Sequence, residues 1–283
     1  MTSTPVRGGS AALGVERPAG PLLRQRADIA APGVAILSAS ITRSRPAADL
    51  EVAIPAFNEH SRLPRTLRRT VEFLAEQPYS SRVVIVDNGS SDDTVAAARA
   101  IALSTDPRVP VDVVGCARPG KGAAVRRALL SSRSRYVGFF DADLATPVET
   151  LAAAMAALDD GAAAAIASRH HPDSELAQRQ PLTRRVGGAA FRALSRGLVP
   201  GIRDTQCGFK FFQREAVTAA LVQCRTTGFS FDVELLWRLY ADGGRIVELP
   251  VVWTDDEQST FRPLQDGVAS FGALLQVQKL RQS

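Results

Sequence analysis

Gly138-Phe-Phe-Asp-Ala-Asp-Leu-Ala-Thr-Pro147 (GFFDADLATP) is an apolar run that ends in two carboxylates two residues apart. The apolar part predicts a strand that is buried on both faces. Thr146 as a cap, a proline in the first turn and Glu149 three residues after the cap predict that a helix follows at once. Asp141 and Asp143 therefore stand on a short turn at the carboxyl end of a strand, either as ordinary loop acids or facing something positive.

The same alternation of apolar strands and amphipathic helices runs through the chain on both sides of this stretch. Alternation of this kind predicts an α/β fold with a mostly parallel central sheet flanked by helices. The predicted strands are Leu50–Pro55, Arg82–Asp87, Val111–Val114, Tyr136–Phe140, Cys207–Phe212 and Arg245–Val252; the predicted helices are Glu59–Gln77, one through Val95–Arg99 capped by Ser91, Lys121–Leu130, one from Thr146, Asp232–Tyr240 and Leu264–Leu280.

The positive charge of the chain is concentrated at its start. The 283 residues carry a formal net charge of +5. Residues 1–48 hold six arginines against Glu16 and Asp28, so about +4 of that charge lies there. We predict a disordered basic leader over 1–48, with a transit peptide or an early start codon as alternatives, and one domain over 49–283. The nearly neutral domain argues against a nucleic-acid partner.

Composition also bears on location. The three cysteines show neither metal-binding spacing nor the pattern of a secreted disulfide framework. No run of about 18 apolar residues is present, and no compact signal peptide precedes the domain. These features predict a cytoplasmic protein without a transmembrane segment.

Chemistry in an open parallel sheet is expected outside the carboxyl ends of its strands. Paired carboxylates suit a divalent metal, and helix N-termini suit phosphate groups. Each residue also has an ordinary explanation, such as a helix cap for Asn58, an Asx turn before Gly89 for Asp87, or an exposed turn for Lys121, which lacks the Walker spacing. The residues at these ends are Asn58 and Glu59, Asp87 to Asp92, Arg118 to Gly122, and Asp141 with Asp143.

Eight stretches then carry a resemblance to a known family. From about Glu51 to Phe271 the chain resembles a family 2 glycosyltransferase of the GT-A fold, and within that family the dolichyl-phosphate glucosyltransferase group. The matching stretches are AIPAFNE (53–59), IVDNGSSDDT (85–94), GKGAAVRRAL (120–129), FFDADLATP (139–147), ASR (167–169), IRDTQCGFKFF (202–212), FSFDVELL (229–236) and ELPVVW (248–253).

The resemblance implies a nucleotide-sugar half over 49–147. Asp141 and Asp143 would hold Mg²⁺ or Mn²⁺, which neutralises the charge on a nucleoside diphosphate leaving group. Asn88 stands where relatives often have a second acid. The residues implied to bind the nucleotide sugar are Pro55, Phe57, Glu59, Asp87, Gly89, Lys121 and Asp141.

The resemblance also implies an acceptor half over 148–283. Ser168, Arg169 and Arg184 would bind the acceptor, since a guanidinium suits phosphate. Asp204 is the first candidate for a catalytic base, followed by Asp232 and Glu234; each could equally be a structural acid.

The implied activity is metal-dependent, inverting transfer of a hexose, with glucose from a UDP donor favoured, to a polyprenyl or dolichyl phosphate. Peripheral contact with a membrane would accompany such an acceptor. Three alternatives stay open: the same donor chemistry on a soluble small molecule, a nucleotidyltransferase that releases pyrophosphate, and a nucleotide-sugar-binding protein without activity.

Overall fold

The computed structural model describes residues 47–176, 195, 197–226, 228, 230–254 and 277–278. Arg184 lies outside the described residues, as do nearly all of the predicted leader and most of the predicted helix Leu264–Leu280. Within the described part of the chain, no helix combines the length and the apolar character that crossing a bilayer requires.

Strands and helices alternate along residues 50–168, as predicted, and the alternation is looser among the described residues beyond 200. The strands are β1 (Leu50–Ala56), β2 (Ser81–Asp87), β3 (Val111–Gly115), β4 (Tyr136–Phe140), β5 (Ala164–Ser168), β6 (Glu175–Leu176), β7 (Phe209–Gln213), β8 (Ile246–Pro250) and β9 (Val252–Trp253). The helices are α1 (Leu63–Ala75), α2 (Thr94–Ala102), α3 (Lys121–Ser131), α4 (Thr150–Asp159), α5 (Arg214–Gln223) and α6 (Phe231–Ala241).

Seven strands form one sheet in the order β3-β2-β1-β4-β7-β5-β8, and β6 pairs with β9 separately. Neighbours in the large sheet are parallel except that β7 runs antiparallel to both β4 and β5. The prediction of a mostly parallel α/β sheet is confirmed. Because β7 is reversed, its first residues arrive at the edge where β1 to β4 end, with Phe209 opposite Phe140.

The sheet is covered on both faces, which explains its continuous apolar strands. One apolar cluster joins the sheet to α1, α2 and α4, and a second joins it to α3, α5 and α6. All five residues of β4 are buried at the centre. The strand that ends in Asp141 is therefore held by packing on every side, which fixes the turn that follows it.

Several predicted element boundaries were wrong. The helix predicted from Thr146 begins at Thr150, and the Thr146 hydroxyl instead lies 3.6 Å from the Cys207 thiol. Ser91 does not cap α2, since that helix begins at Thr94 after Asp93.

The strand predicted over Arg245–Val252 is divided between two sheets. It breaks at Val251, whose N–H donates to Ser174 Oγ (3.0 Å). The helix predicted from Glu59 starts at Leu63, with a proline in its first turn. These helix and strand boundaries depend on side chains that compete for backbone hydrogen bonds and on the rigid geometry of proline. The periodicity of apolar residues does not indicate either effect.

Candidate active site

The loop after β1 is tied to the loop after β2 by Asn58. This residue has a left-handed φ of 56°, which asparagine tolerates better than most residues. Its N–H donates to Ser90 Oγ (2.9 Å), and its Oδ1 accepts from the Ser91 N–H (2.8 Å). Asn58 is thus a bridge between two loops of the edge and not a helix cap, because α1 begins after Arg62.

The end of β2 continues this scaffold. Asp87 accepts from the N–H groups of Gly89 and Ser90 at 3.2 Å each, and Gly89 has a φ of 85°. This is the Asx turn that the sequence allowed as an ordinary explanation. The turn leaves Asp87 at the edge of the sheet, where the nucleotide was expected.

Asn88 has a role that the sequence did not reveal. Its Oδ1 accepts from the Gly120 N–H (2.7 Å), while its Nδ2 donates to the Arg118 carbonyl (2.8 Å). An ionised aspartate could accept but not donate, so the amide suits this position better than the acid that relatives often carry. Asn88 thereby holds the loop that leads into Lys121. The pattern of strand-end residues drew attention to its neighbour and gave no signal for this contact.

Asp141 is the centre of the site. Lys121 Nζ, at the first residue of α3, lies 2.5 Å from Asp141 Oδ1. The Asp141 N–H donates to the Gly208 carbonyl (2.9 Å). A Cβ on Gly208 would stand 1.9 Å from Asp141 Oδ2, so only glycine leaves room for the carboxylate. Burial opposes the charge on Lys121, but Asp141 and Asp232 outweigh it and raise the pKa of the lysine.

Asp143 and Glu59 add negative charge to the edge beside Asp141. Burial and then the charge of Asp141 raise the pKa of Asp143, whose Oδ1 accepts from the Ala145 N–H (3.0 Å). Burial also raises the pKa of Glu59, and Asp143 and Asp141 add to the effect against the opposing Arg62. Glu59 Oε1 and Oε2 each accept from Arg62 at 2.7 Å. A cation at this edge would stabilise all three carboxylates.

The remaining residues predicted for the donor also lie at this edge. Pro55 is half-buried in β1, and the Phe57 side chain just beyond it is 56% exposed. A large exposed ring at the ends of β1 and β2 could stack against a flat base. Its exposure has no explanation in packing.

Arg169 and Asp204, predicted for the acceptor side, form a buried ion pair. Arg169 donates through Nε to Oδ2 (2.7 Å) and through Nη2 to Oδ1 (2.9 Å), and its N–H adds a third bond to Oδ2 (3.0 Å). Burial opposes the charge on each partner, but the attraction between them raises the pKa of Arg169 and holds the pKa of Asp204 well below its usual range. A carboxylate with a depressed pKa is a weak proton acceptor, so this geometry favours a positioning role for Asp204 over the predicted role of base.

Glu248 supports that pair from β8. Its Oε1 accepts from the N–H groups of Arg203 (2.8 Å) and Asp204 (2.9 Å). Ser168, fully buried at the end of β5, offers its carbonyl to the Ser174 hydroxyl (2.6 Å). The acceptor-side residues thus stand on β5, on its direct neighbour β8 and on the loop that leads into the reversed strand β7. No spacing in the sequence indicates that arrangement.

The other two predicted catalytic acids, both on α6, differ in their surroundings. Glu234 accepts from the N–H groups of Arg225 and Thr226 and from Arg238 Nη2 (2.8 Å), which together lower its pKa against the effect of burial. This saturation favours a structural role. Asp232 instead pairs with the fully buried Lys210, Nζ to Oδ1 2.8 Å, and acts electrostatically on Lys121 at the site.

A divalent cation fits the pair Asp141 and Asp143. The described residues contain no group of three or more histidine, cysteine or acidic side chains that could enclose a metal. A cation here would take carboxylate oxygens from this pair and further oxygens from a bound diphosphate, the arrangement typical of Mg²⁺ with nucleotides. The raised pKa of Asp143 beside Asp141 is the observation that favours such a fit.

The mostly parallel α/β sheet has acids and a lysine at its carboxyl edge and one reversed strand entering that edge, which is the architecture of the GT-A fold. The comparisons with known proteins agree. The model of the family "Glycosyl transferase family 2" matches residues 51–220. The chain belongs to this family and is an enzyme of the glycosyltransferase class.

Curated relatives and solved structures define the likeness further. The chain is 32% identical over 232 residues to dolichyl-phosphate beta-glucosyltransferases of Dictyostelium discoideum and Homo sapiens, covering 77% of this chain and 70% and 71% of those proteins. A solved glucosyl-3-phosphoglycerate synthase from M. tuberculosis aligns with a TM-score of 0.61 at 20% identity, over 81% of this chain and 80% of that one. The same enzyme in complex with Mn²⁺, UDP-glucose and phosphoglyceric acid aligns with a TM-score of 0.60 at 19% identity, over 81% and 79%.

Proposed function

We propose that this enzyme transfers glucose from UDP-glucose to a dolichyl or other polyprenyl phosphate, with a divalent cation at Asp141 and Asp143. The names of the curated relatives support glucose and the dolichyl phosphate acceptor, and the UDP-glucose and Mn²⁺ bound to the M. tuberculosis enzyme support the donor and the cation. A lipid-linked product would bring the protein to a membrane surface.

The observation that carries the choice of acceptor is the charge state of the acceptor-half acids. Asp204 and Glu234 have lowered pKa values and fully used oxygens, so neither suits the removal of a proton from a hydroxyl. An acceptor phosphate is already ionised at neutral pH and brings its own nucleophilic oxygen. The site therefore favours a phosphate acceptor over a sugar or aglycone hydroxyl.

On the donor side, Phe57 would stack on the base and Asp87 would meet the base or ribose edge. Lys121 would donate to the diphosphate, which replaces Asp141 as its partner. A bound divalent cation would neutralise charge on the leaving diphosphate. These residues orient the anomeric carbon and favour departure of UDP.

On the acceptor side, Asp204 would hold the guanidinium of Arg169 in position to bind the acceptor. The ion pair uses Nε and Nη2, and the guanidinium keeps further N–H donors on Nη1 for a phosphate. One phosphate oxygen would attack the anomeric carbon as the bond to the UDP oxygen breaks. The electron pair of that bond leaves with UDP, and the configuration inverts in the single displacement.

The test is transfer of labelled glucose from UDP-glucose with Mn²⁺ into an organic extract in the presence of dolichyl phosphate. Dolichol without phosphate is expected to give no product, because neither Asp204 nor Glu234 is suited to remove the proton of its hydroxyl group. Asp143→Asn is expected to lower kcat by about 10²–10³-fold, the usual effect of losing one such electrostatic group. Asp242→Asn, an exposed acid after α6, is the matched control and should retain activity.

Other outcomes would replace the proposal. Glucose transfer to 3-phosphoglycerate, with none to dolichyl phosphate, would assign a soluble acceptor. Release of pyrophosphate in place of UDP would assign a nucleotidyltransferase.

A further inference from the structure

Lys210 is a buried cation that the proposed function does not use. It lies in β7, its side chain has no exposed surface, and it pairs with Phe139 of β4 in the sheet register. Lysine is almost never fully buried unless it is paired, because its charge loses the stabilisation of water. Lys210 cannot reach a substrate, so its effect must pass through the groups it contacts.

Those contacts lead to Asp141 from two sides. Lys210 Nζ donates to the Cys207 carbonyl (2.5 Å), which precedes the glycine whose carbonyl accepts the Asp141 N–H. Lys210 Nζ also lies 2.8 Å from Asp232 Oδ1. Asp232 is in turn within electrostatic reach of Lys121, the partner of Asp141.

The two lysines lie near the same aromatic ring. Lys210 Nζ lies 5.5 Å and Lys121 Nζ 5.9 Å from the centroid of the Phe139 ring. Asp232 therefore has two ammonium groups nearby, one buried and one at the edge. As long as Lys210 neutralises Asp232, Lys121 stays with Asp141 and is available to a diphosphate.

We propose that Lys210 is a positioning residue: by pairing with the Asp232 carboxylate, it keeps Lys121 at the donor site. The inference rests on the proposed role of Lys121 toward a nucleoside diphosphate. Without Lys210, the unpaired carboxylate of Asp232 attracts Lys121 away from Asp141. Removing Asp232 as well abolishes that attraction, so the double variant recovers what the single variant loses.

A readout without ligand tests the position of Lys121 directly. The chain has three lysines, Lys121, Lys210 and Lys279, so protein labelled at lysine Cε gives three NMR resonances. Lys121→Arg identifies the one that matters. The Lys121 resonance is expected to shift in Lys210→Met and to return toward the wild-type position in Lys210→Met with Asp232→Leu. An unmoved resonance in a folded Lys210→Met protein overturns the proposal.

Affinity for UDP in the presence of a chelator provides the second readout. Lys210→Met should raise the Kd of UDP about tenfold or more, the value of a hydrogen bond to a charged group, and the double variant should restore it. Arg238→Met, which breaks a comparably buried pair with Glu234 on the same helix, should lower stability and leave this Kd unchanged. Equal losses of affinity in the single and double variants would mean a merely structural role and overturn the proposal.

Two further results separate the possible failures. If wild-type protein binds no UDP even when Mn²⁺ is present, the proposed function fails, while the NMR comparison still decides the position of Lys121. If Lys210→Met does not fold, Asp232→Asn takes its place. A neutral partner cannot attract Lys121, so UDP affinity near that of the wild type supports the proposal, and a tenfold loss contradicts it.

Discussion

Two acids in the first half of the domain and two in the second half are in opposite electrostatic states. Asp143 and Glu59, in the half formed by β1 to β4, have raised pKa values, because burial and neighbouring carboxylates oppose their charge. Asp204 and Glu234, in the second half, have lowered pKa values, because arginines and backbone N–H groups outweigh burial. A cation would therefore stabilise the carboxylates of the first pair, whereas those of the second pair are already stabilised by arginines and N–H groups.

The largest effect is expected from Asp204→Asn. Breaking a buried ion pair leaves Arg169 uncompensated, which typically costs about 3–5 kcal/mol of unfolding free energy. Urea denaturation at pH 7 measures this loss. A stability equal to that of the wild type would contradict the contrast between the halves.

The pH dependence of stability sharpens the same point. Because the folded-state pKa of Asp204 lies below the ordinary value of 3.8, its contribution is complete above that value and is lost as the pH falls below it. Wild-type protein should therefore lose stability in this range more steeply than Asp204→Asn. Parallel curves for the two proteins would mean that Asp204 has an ordinary pKa.

Gly208→Ala should affect the donor half next most strongly. The added Cβ would collide with the Asp141 carboxylate, and a displaced catalytic group typically costs about 10²-fold in kcat/KM. Steady-state kinetics with a nucleotide-sugar donor measure this loss. Gly161→Ala, at a turn of positive φ with open space around it, is a control for backbone strain alone and should retain kcat/KM.

Glu234→Gln should have the smallest effect on catalysis, and its effect should be confined to stability. It leaves Arg238 without its buried counter-charge, which typically costs about 3–5 kcal/mol of unfolding free energy. The kcat of the folded variant should stay within a factor of about three, since Glu234 has no oxygen free for substrate. A fall of kcat by two or more orders of magnitude would restore Glu234 as a catalytic residue and remove the contrast.

The donor half was the more predictable from sequence because its site residues lie in segments that directly follow the strands. Each strand end and its following loop are contiguous, and the carboxyl ends of parallel strands share one edge, so the sequence alone could place Asp141 and Lys121 there. The second half depends on the reversal of β7, which brings Gly208 beside Asp141 through a pairing of distant segments. That reversal, the Arg169–Asp204 pair and the contacts of Asn88 with Gly120 and Arg118 arise from tertiary geometry, and apolar periodicity does not encode them.

The central claim, that Asp141 and Asp143 hold a divalent cation, is tested most directly by electron paramagnetic resonance of free Mn²⁺ during titration with protein and UDP. Wild-type protein and Asp242→Asn should bind Mn²⁺ with equal affinity. The affinity of Asp143→Asn for Mn²⁺ should be lower than that of the wild type. The loss should exceed the roughly 10- to 100-fold that follows when a group that only supports a metal ligand is removed. Mn²⁺ affinity in Asp143→Asn equal to that of the wild type would contradict the account.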